Sequence, residues 1–367
     1  MSAFSVLLRL FVLSLGLATT AVQAQEAPAT PSPEEVLAQI QAQWASSRHA
    51  DSTAPAFNRW NGDGSVPATC AGCHSTPGFL DFAGADGTAA GVVDGAHPTG
   101  STVECAACHA TDPAVFAKVV FPSGAEIEHG SGSGTCMTCH QGRASGATVD
   151  GAISGLSIGP DVVSPDLQFV NVHYAAAAAV MMGTDAKGGY EYEGRTYVGR
   201  FSHAPGADSC AACHDPHSTA VKVETCATCH GPAEPRAIRL AAPDYDGDGD
   251  RAEGVAAEIH DTHAALLAAI MDYAAKNGGP IGYAHAYPYF FADLNGNGEI
   301  DEDERTRDNA YRAFTPRLLR AVYNYQLVSV SPGSWIHNGR YAAQLLHDSL
   351  SDLAEGGAEV GALGERP

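Results

Sequence analysis

The chain has 367 residues, with 42 acidic against 20 basic side chains, 16 histidines and 10 cysteines. A formal charge of −22 excludes nucleic acid or an anionic membrane surface as the main partner, since both are polyanions. With 45% hydrophobic and only 17% charged residues, the chain can bury a core, which excludes a disordered protein.

In chain order, residues 1–24 read as a signal peptide. Arg9 is followed by the apolar run Leu10–Ala18, and Val22-Gln23-Ala24 is a small-residue cleavage site. No other window approaches the length of a transmembrane span. The expectation is therefore an exported chain, periplasmic or extracellular, without a membrane-spanning helix. Residues 25–47 hold a Pro/Ala-rich linker, Glu26–Pro31, and a short helix. Ser32-Pro33-Glu34-Glu35 has the form of a capping box with proline in the first helical position, and the helix runs to about Ser46. Residues 48–235 are rich in Gly, Pro, Ser and Thr, which predicts loops and short helices. From 236 to 367 two acidic loops appear, and helical periodicity is clear at 254–276, 316–328 and 338–354. The fold class is mainly α with extensive irregular loops.

All ten cysteines fall in five copies of one pattern. These are Cys70-Ala-Gly-Cys73-His74, Cys105-Ala-Ala-Cys108-His109, Cys136-Met-Thr-Cys139-His140, Cys210-Ala-Ala-Cys213-His214 and Cys226-Ala-Thr-Cys229-His230, numbered motifs 1 to 5 below. Cys-x-x-Cys-His is the attachment sequence for c-type haem. Two thiols three residues apart on one helical turn reach the two vinyl groups of a porphyrin, and the next histidine ligates the iron. Five copies with no cysteine left over predict five covalent haems and no disulfides. Thioredoxin-like and zinc sites need no histidine after every second cysteine.

Eleven histidines lie outside the motifs: His49, His97, His129, His173, His203, His217, His260, His263, His285, His337 and His347. If every iron has two imidazoles, five of them are distal ligands. His217 lies too near motif 4 to reach the far face of that haem, so it is expected to cap a neighbour. His173 precedes an Ala-rich helical run, a stiff platform. If a helix has begun by 337, then His337, Tyr341 and Leu345 share a face and His347 points to solvent. His263 shares an apolar face with Ile259, Leu266 and Ile270, as a satisfied core histidine would. His97 and His129 precede motifs at spacings like that of His203. Spacing alone leaves these alternatives open.

Asp293, Asn295, Asn297, Glu299, Asp301 and Glu304, with Gly298 at position six, match a twelve-residue calcium loop. Asp244, Asp246, Asp248 and Asp250 start a similar loop, but position twelve is Val255, so its bidentate glutamate is expected from Glu253 or Glu258. One or two structural Ca2+ ions are predicted. Pro288 argues against a regular helix entering the 293–304 loop.

The chain resembles the polyhaem membrane-associated cytochromes c that metal- and anaerobically respiring bacteria export. The residues that carry the likeness include His49-Ala-Asp, Cys-Met-Thr-Cys-His-Gln-Gly-Arg at 136–143, Asn171-Val-His-Tyr and Gly188-Gly-Tyr-Glu-Tyr. Others are Cys-His-Asp-Pro-His at 213–217, Asp-Gly-Asp-Gly at 246–249, Thr-Pro-Arg-Leu-Leu at 315–319, Tyr-Asn-Tyr-Gln at 323–326 and Ile336-His-Asn. The resemblance implies His49, His173, His203, His217 and His337 as the distal set. It also implies electron transfer with other redox proteins or extracellular acceptors.

Three functions follow. The first is an electron carrier that is not an enzyme. The second is a haem reductase of a small oxyanion such as nitrite, although no motif replaces its histidine with the lysine usual at the catalytic haem of pentahaem nitrite reductases. The third is a subunit of a cytochrome filament, a homo-oligomer in which one copy caps a haem of the next. In organisation, residues 48–235 form a pentahaem region and residues 236–367 a helical calcium-binding region that donates His337.

Overall fold

Ser32 opens the first described helix, α1 (Pro33–Ala45). Its hydroxyl accepts from the Glu35 amide at 3.3 Å, and Glu35 accepts from the Ser32 amide at 2.7 Å. Both orphan donors of the helix start are thereby satisfied. The computed structural model describes residues 30–128, 132–231, 234–239 and 243–367. The expected signal peptide, most of the linker and His129 lie outside them.

The haem-motif region consists of short pieces. They are α2 (Pro55–Asn58), α3 (Ala68–His74), α4 (Thr76–Phe82), α5 (Cys105–His109), α6 (Gly134–Cys139), α7 (Gly146–Ser154), α8 (Ala177–Met182), α9 (Cys210–Cys213) and α10 (Val223–His230). The described strands form three antiparallel two-stranded ribbons: β1 (Ser65–Val66) with β2 (His97–Pro98), β3 (Lys118–Val120) with β4 (Glu126–Glu128), and β5 (Ile281–Tyr283) with β6 (Phe290–Ala292). Near motifs 1 and 2 the apolar packing is slight, a small cluster of Phe79, Ala83, Ala107 and Phe116 with the two phenyl rings stacked at 5.4 Å.

Three long helices follow: α11 (Val255–Asn277), α12 (Pro316–Ser329) and α13 (Ser334–Glu355). On α11 the buried residues Ile259, Thr262, Leu266, Ile270 and Tyr273 recur at three- and four-residue intervals, so one stripe faces the core. α12 is buried nearly all round, from Pro316 to Val328, and lies at the centre of the main core. That core also takes in Leu167, Val172, Val180 and Met182 from the haem-motif region.

A helix buried on every side must satisfy its polar side chains internally. α12 does so by gripping the irregular backbone beside it. Gln326 Oε1 accepts from the Val172 amide at 2.8 Å. Asn324 accepts from the Tyr190 amide at 2.7 Å and donates to its carbonyl at 3.0 Å. Tyr323 donates to the Gly188 carbonyl at 2.8 Å, and Tyr341 of α13 accepts from the Gly189 amide at 3.1 Å. Gly189 packs directly on the Leu345 side chain, where a Cβ would collide. The Tyr-Asn-Tyr-Gln segment is thus one half of a lock whose other half runs from Val172 to Tyr190.

α13 is not one regular helix. Asn338 has φ −166° and ψ 75°, which separates a short first turn from the main body. The break has a local cause: Asn338 Oδ1 accepts from the Tyr341 amide at 3.2 Å, as an N-cap does, while its amide donates to the Gly199 carbonyl at 3.0 Å. The expectation that His337, Tyr341 and Leu345 share one helical face is therefore corrected, because the helix restarts between them.

Candidate functional site: five paired histidines

Each motif occupies a short helix or helix end, which sets its two cysteines one turn apart and carries the histidine out at the C-terminal side. All ten cysteines are free thiols, so no disulfide competes for them.

Every motif histidine has a second imidazole beside it. His74 lies 5.8 Å from His173 between ring centres, His109 lies 6.3 Å from His217, and His140 lies 6.4 Å from His49. His214 is 6.3 Å from His337 and His230 is 5.9 Å from His203. A metal–imidazole bond of about 2.0 Å, plus about 1.1 Å from nitrogen to ring centre, puts two rings on opposite sides of one metal about 6 Å apart. All five separations fit that span. Direct ring packing in this structure spans a wider range, from His263 on Tyr325 at 4.0 Å to Tyr283 on Tyr289 at 6.4 Å.

Second partners orient some of these rings. His74 Nδ1–H donates to the Ala56 carbonyl at 2.8 Å, which leaves Nε2 as the free donor atom. Trp60 packs on His74 at 5.3 Å, a neighbour that no motif spacing identifies from sequence. His173 is held in a left-handed conformation, φ 72°, with its amide donating to Asn171 Oδ1 at 2.9 Å. It therefore stands on a tight turn before α8, and the expected helical platform begins only at Ala177. Such backbone persists only where the surroundings enforce it, and the Gln326–Val172 hydrogen bond next door is one such restraint. Burial, above all, holds His49, His74, His140 and His214 below the usual imidazole range, and drives His173 and His337 down to about 4. Neutral imidazole is the form that binds a metal.

Three of the other described histidines have other engagements. His97 Nε2 meets Asp81 at 2.8 Å, tying the 81–97 loop together. His263 donates to the Tyr325 carbonyl at 2.9 Å on top of its stacking contact, a satisfied core histidine. His347 is only 14% exposed and bonds Asp348 at 3.3 Å, so the expectation that it faces solvent is corrected. Its helix face is covered by the chain's last residues, where Gln344 donates to the Pro367 carbonyl at 2.9 Å.

The two acidic loops have one backbone design. In the second, Asp293 accepts from the amides of Gly296 and Gly298 at 2.7 and 2.8 Å, and Glu304 accepts from the Leu294 amide at 2.8 Å. In the first, Asp244 accepts from Gly247 and Gly249 at 2.6 and 2.9 Å, and Glu258 accepts from the Tyr245 amide at 2.6 Å. Glu258, at the start of α11, thus stands where Glu304 stands in its loop. Carboxylate oxygens converge within 4.8 Å in two groups among the described residues, Asp244 with Asp246 and Asp248, and Asp246 with Glu253 and Glu258. Asp250 lies outside both groups. Burial, then the charges of Asp246 and Glu258, push Glu253 up to about 7. In the second loop Asp301 is bound by the amides of Asn295 and Asn297 at 2.8 and 3.1 Å. Strand β6 enters that loop, in line with the expectation from Pro288.

No protein-family model matches the chain, and no solved structure does. It is similar to the C-type polyheme cytochrome OmcB of Geobacter sulfurreducens, 29% identical over 363 aligned positions that cover 83% of this chain and 46% of the relative. It is also similar to OmcC of the same species, 28% identical over 367 positions, 83% of this chain and 45% of the relative. The chain spans about half the length of these curated relatives. No described helix is long and apolar enough to cross a membrane.

Proposed function

We propose that this multihaem c-type cytochrome carries electrons between exported redox partners, using five haems that each have two imidazole ligands. The observation that carries the reading is the pairing of every motif histidine with a second histidine at the span of one metal. Haem supplies one-electron redox chemistry, and two axial imidazoles keep the iron low-spin with little change of geometry on reduction.

The chain's own residues do the rest. The cysteine pairs of motifs 1 to 5 would hold the porphyrins as thioethers. His74, His109, His140, His214 and His230 would be the proximal ligands, opposite His173, His217, His49, His337 and His203. Residues 48–235 hold the haems, while the region from 236 onward braces them and donates His337. Each pair closes within one chain, so a filament in which copies exchange ligands is not required. Two histidines at every motif would leave a bound haem no free iron position for a substrate, which favours carriage over reduction of nitrite. Covalent attachment outside the cytoplasm agrees with the signal-like N-terminus, so the proposed location is the periplasm or the cell exterior.

The test is a mass spectrum with a magnetic-resonance spectrum of the oxidised, matured protein. Five haem adducts and only low-spin ferric signals are expected. A high-spin signal that shifts on adding nitrite would turn the reading to the reductase.

Calcium is proposed as a staple at the acidic loops, with the first site built from Asp244, Asp246, Asp248 and Glu258 and the second from Asp293, Asn295, Asn297, Glu299, Asp301 and Glu304. Ligand at a hundredfold its Kd stabilises a fold by about 2.7 kcal/mol. Calcium should therefore raise the melting temperature, and Asp246→Asn should remove most of the rise that comes from the first site. Equal melting curves in calcium and in chelator would exclude the staple.

A further inference from the structure

The five motifs are not arranged in space as they are along the chain. Motif 3 lies at the centre. Cys73 Sγ lies 3.9 Å from the carbonyl of Thr138, the residue before Cys139. This joins motif 1 to motif 3 across more than sixty residues of sequence. The Cys210 amide donates at 3.1 Å to the hydroxyl of Ser133, three residues before Cys136, which joins motif 4. Motif 2 also adjoins motif 3. Cys139 packs against the cluster that contains Ala107 of motif 2, and Gly134 of α6 packs on the carbonyl of Phe116, seven residues past motif 2.

Motif 5 is bound differently. Its link is to motif 4, through the Lys222 amide donating to the Cys213 carbonyl at 2.8 Å and the bridge between His214 and Val221. His217, three residues past motif 4, reaches back to His109 of motif 2. His49, from the start of the chain, reaches motif 3.

We infer that Cys136–His140 is a junction, so that the haem it holds has the haems of motifs 1, 2 and 4 as neighbours while that of motif 5 has only motif 4. This deepens the proposed function and rests on its reading that each motif holds a haem. An array in chain order would give motif 3 two neighbours, motifs 2 and 4. Contact between motifs 1 and 3 is the part that chain order does not supply.

Charge on one haem shifts the midpoint potentials of its close neighbours, so neighbours can be counted by potentiometry. The variant is His49→Met in the full matured protein, since methionine in place of an axial histidine raises the potential of that iron. The junction then stays reduced while the others titrate, and three other midpoints should fall, that of motif 1 among them. His173→Met identifies the motif 1 signal. His203→Met, at motif 5, should move one neighbouring midpoint. A motif 1 midpoint that stays put in His49→Met while those of motifs 2 and 4 move overturns the junction. If His49→Met leaves every iron with two histidines, His49 is not the ligand, and His140→Met applies the same count at the motif itself. Haem number by mass is read first in each variant, and fewer than five in the unsubstituted protein would defeat the proposed function separately.

Discussion

Replacing His337 with alanine leaves all five haems attached but turns one iron high-spin. His337 is the only proposed distal ligand carried by the C-terminal helices, and its ring lies 6.3 Å from that of His214. Attachment at motif 4 depends on Cys210, Cys213 and His214, which the substitution does not touch. The ring is half-buried, with no hydrogen-bond partner for Nδ1 among the described residues, so a purely structural role would rest on packing alone. Exogenous imidazole separates the two roles. It should restore the low-spin spectrum by filling the vacated position, whereas a lost packing contact would not be repaired. Gly333→Ala provides a gentler version. A Cβ there would meet His337 Cε1 at 2.8 Å, so the ring must turn or move while the ligand remains. The expected result is an altered low-spin signal for one haem and no high-spin signal. Unchanged spectra in His337→Ala would remove His337 from the ligand set.

The part of the site written in sequence is the part set by local geometry. Two thiols and an imidazole on one helical turn depend on residues four apart, so Cys70 to His74 and its four copies could be read directly. The helices α11 and α12 were equally legible, because apolar stripes recur over many turns. The pairing of histidines was not, since it is decided by irregular loops that carry no periodic signal. His49 meets a motif histidine 91 residues on, and His217 meets one that precedes it by more than a hundred. His337 shows the limit of helix-phase reasoning, because the Asn338 side chain ends one helical piece and starts another. His173 shows a second limit. Its place on a left-handed turn answers to Gln326, a residue 154 positions from the Val172 amide that it holds. The resemblance to known cytochromes selected five histidines that spacing left open, and the geometry pairs those five with the five motifs.

Asp348→Ala should be among the most damaging single substitutions in the chain, at about 3 kcal/mol or more, because it removes one partner from a buried ion pair. The Asp348 side chain is fully buried on α13. It accepts from Arg366 Nε and Nη2, both at 2.8 Å, from the Tyr197 hydroxyl at 2.6 Å and from His347 at 3.3 Å. Burial works against its ionisation, but His347, Arg366 and Tyr197 outweigh that and hold the carboxyl well below the usual range. The sign follows from linkage. A carboxylate with a depressed folded pKa stabilises the fold above its unfolded value near 3.9, and that contribution is lost as pH falls toward the folded value. Denaturant midpoints of the wild type should thus be flat from neutral pH to about 5 as far as this group is concerned, then decline in stronger acid. Asp348→Ala should start lower at neutral pH and decline less steeply there. Arg366 belongs to the segment that crosses the first acidic loop, where the Glu365 amide donates to the Asp244 carbonyl at 2.8 Å. Freed from Asp348, that segment loses its main anchor on α13. The Asp348→Ala protein should therefore also lose calcium-dependent stabilisation at the first loop and keep that of the second. A variant whose calcium response and acid limb both match the wild type would show that the Arg366 contact contributes nothing to holding the loop.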